Sequence, residues 1–314
     1  MSEEVSQPAG DVTGPAEAAE KPFRAGFVSF VGRPNVGKST LTNALVGEKI
    51  VITSEKPQTT RRVIRGIVHR PDGQLIIVDT PGIHRPRTLL GERLNALVET
   101  TLGDVDVIGF CVPANEKIGP GDRFIDERLN DFPRAKKVAI LTKIDSASQT
   151  EIIDQLTKLG AMREWDAVVP ISSTEDQQLD ILSEVLLDLM PESPALYEDE
   201  TITDESEDER IAELIREAAL AGAREELPHS LAASVDDREE REDGLIEIYA
   251  SVYVERDSQK GIVIGKGGQR LKAIGETARK GIEELLGRRV YLSIRVKVLK
   301  EWQRDPKALG KLGF

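Results

Sequence analysis

Between Phe23 and Pro191, short apolar runs alternate with segments whose apolar residues recur at helical spacing. The runs are Gly26–Val31, Val63–Val68, Leu75–Val78, Val105–Val112, Val138–Leu141 and Val168–Ile171, each short enough to be one strand. Helical spacing is found at Thr40–Val46, Leu89–Leu102, Arg123–Leu129, Ile152–Leu159 and Leu179–Met190. This alternation predicts an α/β domain whose mostly parallel sheet is covered by helices on both faces. In such folds the ligand lies at the carboxyl ends of the strands. A second pattern begins after a charged stretch. A helical face carries Ile211, Leu214, Ile215, Ala218 and Ala219, and a strand is predicted over Leu245–Val254. A helix over Gln269–Leu286 and an alternating strand over Val290–Val298 follow, an α+β arrangement too small to continue the first domain.

Chemistry-bearing residues cluster at the predicted strand ends. After the first strand stand Gly32, Arg33, Pro34, Asn35, Val36, Gly37, Lys38 and Ser39, with Thr40 opening the helix. Strand, glycine-rich turn and helix start form the context of a phosphate-binding P-loop. Turn N–H groups and the helix dipole wrap a phosphate chain, Lys38 reaches the outer phosphates, and the Ser39 hydroxyl suits Mg²⁺. After the strand ending at Val78 come Asp79, Thr80, Pro81, Gly82 and Ile83. There a carboxylate can hold the Mg²⁺ shell, and the Gly82 N–H can meet a γ-phosphate. After Leu141 come Thr142, Lys143 and Asp145. A carboxylate at this point can accept from both N1–H and N2–H of guanine. Adenine would leave it unpaired, which makes the site selective for guanine. Ser172 and Ser173, after Ile171, place backbone N–H groups where they could meet the guanine O6.

Charge divides the chain further. Residues 1–22 are rich in Glu, Ala, Pro and Gly, carry almost no large apolar side chains, and read as a disordered acidic tail. Residues 194–243 hold 18 Asp and Glu against 5 Lys and Arg, which matches the net charge of -13 for all 314 residues. Within them 194–210 reads as an acidic linker, and Asp236–Asp243 as an exposed hairpin loop. From Gly244 on, 15 Lys and Arg face 8 Asp and Glu, so an acidic chain carries a basic module, as expected of a nucleic-acid binder. In that module Gly265, Lys266, Gly267 and Gly268 open the long helix. A G-x-x-G turn there can clamp a nucleic-acid backbone, with Lys266, Arg270 and Lys272 as cations against phosphate.

The nucleotide motifs together resemble the translation-factor-related GTPases. The block Lys56-Pro57-Gln58-Thr59-Thr60-Arg61-Arg62 resembles the first switch of the bacterial Era family. Helix, strand, helix, G-x-x-G, helix and strand over 211–303 resemble a type II K homology domain, and 304–314 resemble the Era C-terminus. The resemblance implies an Era-type G domain at 23–193 and GTP hydrolysis to GDP with Lys38, Thr60 and Gly82 at the reaction. Thr60 is implied as a ligand of Mg²⁺ and of the γ-phosphate, beside Ser39 and Asp79. The implied partners are 16S rRNA near its 3′ end and the small (30S) ribosomal subunit, whose maturation the family assists. Loose association with the inner membrane face is also implied. Asn35 beside a Thr-Thr switch resembles GTPases that recruit K⁺. Two positions depart from the family pattern: Thr142 replaces the usual Asn, and Ser173 the usual Ala. The Thr142 hydroxyl can still bond across to the P-loop.

Other classes are disfavoured. One cysteine and three scattered histidines offer no disulfide framework and no metal-ligand spacing. Cys111 reads as a buried strand residue. No apolar run reaches membrane-spanning length and the N-terminus has no basic-then-apolar signal peptide, so the cytoplasm is the default location. A monomer is expected. An RNA-binding protein with an impaired nucleotide domain draws support from Thr142 alone, while Lys38, Ser39, Thr60 and Asp79 oppose it. A P-loop kinase or ATPase is opposed by Asp145. Ile83 stands where Ras-like switches carry a water-orienting glutamine and has no polar group for that task. Arg33 and Arg61 read as solvated surface residues rather than arginine fingers.

Overall fold

The computed structural model describes residues 22–54, 59–82, 88–223 and 227–314. The expected disordered tail, Ile83, and Lys56–Gln58 of the switch block lie outside the described residues, apart from the tail's last position. The first module runs β1 (Arg24–Val31), α1 (Lys38–Val46), β2 (Ile64–Arg70), β3 (Gly73–Asp79), α2 (Leu89–Asp104), β4 (Val107–Pro113) and α3 (Pro120–Arg128). It continues through β5 (Lys136–Thr142), α4 (Gln149–Met162), β6 (Ala167–Pro170) and α5 (Leu179–Asp188). Its six-stranded sheet has the order β2-β3-β1-β4-β5-β6. All pairings are parallel except β2 with β3. Every residue of β3 and β4 is buried, the consequence of helices on both faces. Val28, Leu41, Ile77 and Leu182 pack on one face; Ile76, Val98, Ile108 and Phe110 pack on the other. The helix expected at Arg123 starts three residues earlier, with Pro120 in its first turn, where the missing N–H costs nothing.

The second module comprises α6 (Glu207–Leu220), α7 (Leu227–Ser230), β7 (Ala232–Glu240), β8 (Ile246–Val254), α8 (Asp257–Ile264), α9 (Gln269–Leu286), β9 (Val290–Val298) and α10 (Pro306–Lys311). Strand order is β7-β8-β9, with β8 and β9 parallel. Ile211, Ile215, Ile248, Val252, Ile274 and Ile282 form its core. Helix α6 begins at Glu207, earlier than the apolar pattern marks, because Ser206 and Glu209 close a capping box there.

Two expectations change. Asp236–Glu240 is not loop: these residues complete β7, and the turn starts at Arg241. The acidic side chains lie on an edge strand, where charge opposes pairing with other chains. Asp236 sits at a register shift and accepts bonds from Ser251 Oγ (2.5 Å) and Lys297 Nζ (3.1 Å). The acidic linker is not a free tether either. Ile67 N donates to Ile202 O (2.9 Å), and Gly66 bridges to Thr203, so the linker lines the outer edge of β2. The buried Gln74 side chain holds the same segment, donating to Tyr197 O (2.7 Å) and accepting from the N–H groups of Leu196 and Tyr197.

The modules share a core. Leu90 and Leu94 of α2 pack with Tyr253, Trp302, Leu309 and Leu312. Trp302 is fully buried, donates from Nε1 to Ser230 O (3.1 Å) and stacks on Phe314.

Glu205, at the end of the linker, has Oε2 buried without a partner. Burial, then the Glu213 and Glu209 carboxylates, push its pKa up to about 7, against the pull of Arg62 and Arg210. Between the usual 4.5 and 7 the folded chain holds a proton that the unfolded chain releases, so this group lowers stability as pH rises through that window. Glu205→Gln should therefore raise the melting temperature at pH 8 and have a much smaller effect at pH 5. Equal shifts at the two values in thermal melts would contradict this.

Candidate functional site

The carboxyl ends of β1, β3 and β5 bring the nucleotide motifs together. Gly37 caps α1 at φ 102°, a left-handed conformation in which a side chain is strained. Asn35 and Lys143 also adopt positive φ. Lys143 Nζ donates to Asn35 O (2.7 Å), and Thr142 Oγ1 donates to Val36 O (2.6 Å). The loop after β5 is thus strapped to the P-loop by two bonds, and the hydroxyl of Thr142 spans the gap. Lys38 Nζ donates to Gly32 O (3.0 Å) and Arg33 O (2.9 Å), while burial lowers its pKa against the opposing pull of Cys111 and Asp79. Pro34 is exposed, and Ser39 and Thr40 are half-buried at the start of α1.

Asp79 is fully buried at the end of β3. Its Oδ2 accepts from Thr60 Oγ1 (3.0 Å), and its Oδ1 is buried with no partner. Burial pushes its pKa up to about 6, against the Thr60 bond and the Lys38 charge. An orphaned anionic oxygen on a carboxylate already bonded to the Thr60 hydroxyl fits a hard divalent cation. Thr80 and Pro81 are buried behind it, and Gly82 ends the described stretch. Asp145, by contrast, is exposed. Its carboxylate accepts from Ser172 Oγ (2.5 Å) and Ser146 Oγ (2.7 Å), and these bonds hold its pKa below the usual range. Ser172 therefore contributes a side chain that orients Asp145, a role its sequence position did not show. Ser173 is half-buried beside it.

Neither arginine is a free surface side chain. Arg33 Nε donates to the buried Asp122 (2.7 Å), and its Nη2 pairs with Glu116 (3.2 Å). Arg61 is buried, the reverse of the solvated residue expected. It donates to Leu231 O (2.5 Å), Pro228 O (2.9 Å) and His229 O (2.8 Å), and lies over the Trp302 ring. The partners of both arginines lie more than 80 residues away in the chain, so no local signal marks them.

In the second module α8 ends at Ile264 and the turn Lys266–Gly268 leads into α9. Gly267 and Gly268 have φ 59° and 77°, the left-handed values that this reversal needs. Lys266 and Lys272 are exposed, whereas Arg270 leans toward α6, with Nη2 3.4 Å from Ala219 O.

This geometry defines a P-loop GTPase domain joined to a K homology domain. Residues 27–143 match the family described as 50S ribosome-binding GTPase, and residues 226–303 match the KH domain. GTPase Era of Leifsonia xyli subsp. xyli is 70% identical over 93% of this chain and 99% of its own length. GTPase Era of Mycolicibacterium smegmatis is 60% identical with the same coverage. Among solved structures, an Era variant from Aquifex aeolicus bound to GDP·AlF4⁻ superposes with a TM-score of 0.87 at 34% identity. Era in complex with MgGDPNP and nucleotides 1506–1542 of 16S ribosomal RNA gives 0.85 at 36%. Each covers 93% of this chain and 99% of the solved one. The chain belongs to the Era family of GTPases and is a GTP-hydrolysing enzyme.

Thr142→Val keeps the shape of the side chain and removes the strap, leaving the Val36 carbonyl unpaired. The expected cost is about 1–3 kcal/mol of guanine-nucleotide affinity. Titration with a fluorescent GDP analogue checks it, and parental affinity would mean that the strap does not matter.

Proposed function

We propose that this protein is a GTP-driven switch that binds 16S rRNA near its 3′ end through the K homology domain and assists maturation of the small ribosomal subunit. The observation that carries the reading is the Gly265–Gly268 turn at the start of α9, with Lys266 and Gly267 exposed, on a module continuous with the GTPase domain. Full-length similarity to an Era bound to a 16S fragment supports the choice of RNA. The nucleotide side follows from the site. Asp145, held by Ser172 and Ser146, reads the guanine edge, and the Ser173 N–H faces O6; the Ser172 N–H, expected there too, bonds Gln177 O instead (3.2 Å). The P-loop from Gly32 to Thr40 wraps the phosphates, with Lys38 on the outer ones. Ser39, Thr60 and Asp79 would hold Mg²⁺, which would supply neutralisation of the phosphate charge. Water attacks the γ-phosphorus, the bond to the β-phosphate oxygen breaks, and GDP and phosphate leave. The Gly82 N–H donates to the γ-phosphate oxygens as charge builds on them.

The placements of Arg33 and Arg61 make neither an arginine finger, so the added charge must come from elsewhere. Asn35, exposed in the P-loop, is our ligand for a K⁺ that shares that charge. Hydrolysis should then be faster in K⁺ than in Na⁺ at equal ionic strength, and Asn35→Ala should abolish the difference. Equal rates for the parent protein in the two salts would remove this role. We place the protein in the cytoplasm as a monomer. No helix among the described residues is long and apolar enough to cross a membrane, so the loose association implied by the family resemblance would be peripheral.

The RNA assignment is tested with Lys266→Asp combined with Gly267→Asp. Two carboxylates against the RNA backbone should weaken binding of a 16S 3′-end oligonucleotide by at least tenfold and flatten its salt dependence. Unchanged binding at matched salt would refute the clamp.

A further inference from the structure

The switch segment is gripped from both ends by one turn of α6. Glu217 Oε1 accepts from the Thr53 N–H (3.0 Å), while its Oε2 pairs with Lys49 Nζ (2.6 Å). The next residue back, Arg216, is buried and donates through Nη2 to Thr59 O. Glu213 aims that guanidinium, accepting from Nε (2.9 Å) and Nη2 (2.5 Å). Thr60 therefore lies between two anchored neighbours: Thr59 through Arg216, and Arg61 through the carbonyls of 228–231. Between them its hydroxyl points the other way and meets Asp79 Oδ2.

We propose that Arg216, a residue of the RNA-binding module, is a positioning residue for GTP hydrolysis. By holding the Thr59 carbonyl it keeps Thr60 against the Asp79 carboxylate, where the γ-phosphate and its cation are engaged. This rests on the reading of Thr60 and Asp79 given above. GDP lacks the γ-phosphate, so GDP binding does not draw on Thr60, and the effect of Arg216 is confined to the triphosphate state. Displacement of a reacting group by about 1 Å is enough to lower a rate by up to roughly a hundredfold.

The test measures kcat, KM, GDP affinity and the Mg²⁺ concentration for half-maximal hydrolysis in the full chain. Arg216→Gln should lower kcat at least tenfold and raise the Mg²⁺ requirement severalfold, with GDP affinity within about twofold of the parent. Arg216→Lys, which keeps charge and one donor, should recover part of the rate. Ser206→Ala removes the N-cap of the same helix without touching the switch; it should lower the melting temperature and leave kcat unchanged. Thr60→Ala separates the two readings. A parental rate in Thr60→Ala removes Thr60 from the site. A slow Thr60→Ala beside a parental Arg216→Gln overturns the positioning role alone. Loss of kcat in Ser206→Ala equal to that in Arg216→Gln would also overturn it, since helix stability would then be the cause. If Arg216→Gln does not fold, Glu213→Gln releases the aim of Arg216 and must show the same split between kcat and GDP affinity.

Discussion

A buried guanidinium joins the two halves of this protein. Arg61 lies out of water among backbone carbonyls and the face of Trp302, with no carboxylate among the described residues bonded to it. Burying a charge costs several kcal/mol unless its donors are filled. Here three carbonyls, two within α7 and one just after it, accept three of its five N–H bonds, and the ring adds a cation–π contact. Burial and the nearby Arg216 push its pKa down to about 9, so it stays charged at neutral pH. The arrangement exists only while α7, Trp302 and the switch segment are docked together. Removing any one of them would leave polar groups buried and unpaired.

Electrostatics is sorted by place rather than by total charge. The acidic residues of 194–243 serve several physical purposes. Glu209 caps α6 with Ser206, and Glu213 and Glu217 hold the switch segment through Arg216 and Thr53. Asp236 anchors an edge strand. The basic excess remains on the K homology module, where Lys266 and Lys272 are exposed. A protein with an overall charge of -13 can thus present a cationic surface to a polyanion.

The legible parts of the site are those whose partners are close in sequence or supplied by the ligand. The P-loop is one strand, one turn and one helix start, so its spacing predicts its geometry. The same holds for the residues after β3 and β5, and for the turn before α9. Thr142 was legible as well: its residue type departs from the family pattern, its hydroxyl was expected to bond across to the P-loop, and the approach of β5 supplies the acceptor, Val36 O. Ser172 was read as a backbone donor to the base, but its N–H bonds Gln177 O, and its side-chain bond to Asp145 depends on how two loops meet.

The amino-acid sequence by itself determined the order of strands and helices, the burial of the central strands and the identity of the nucleotide-binding turns. These follow from periodicity and from short motifs, both of which act within one or two elements. Tertiary structure decided the rest. Asp236–Glu240 became strand because β8 offers a ladder, and the acidic linker became a strap because the edge of β2 and the Gln74 amide needed partners. Arg33 is tied to the buried Asp122, and Arg61 turned away from solvent onto the carbonyls of 228–231, because packing brings these partners, distant in sequence, beside them. A long, flexible cation can satisfy itself in water or in the interior with similar local sequence. Only the docking of the two modules settles which environment it meets.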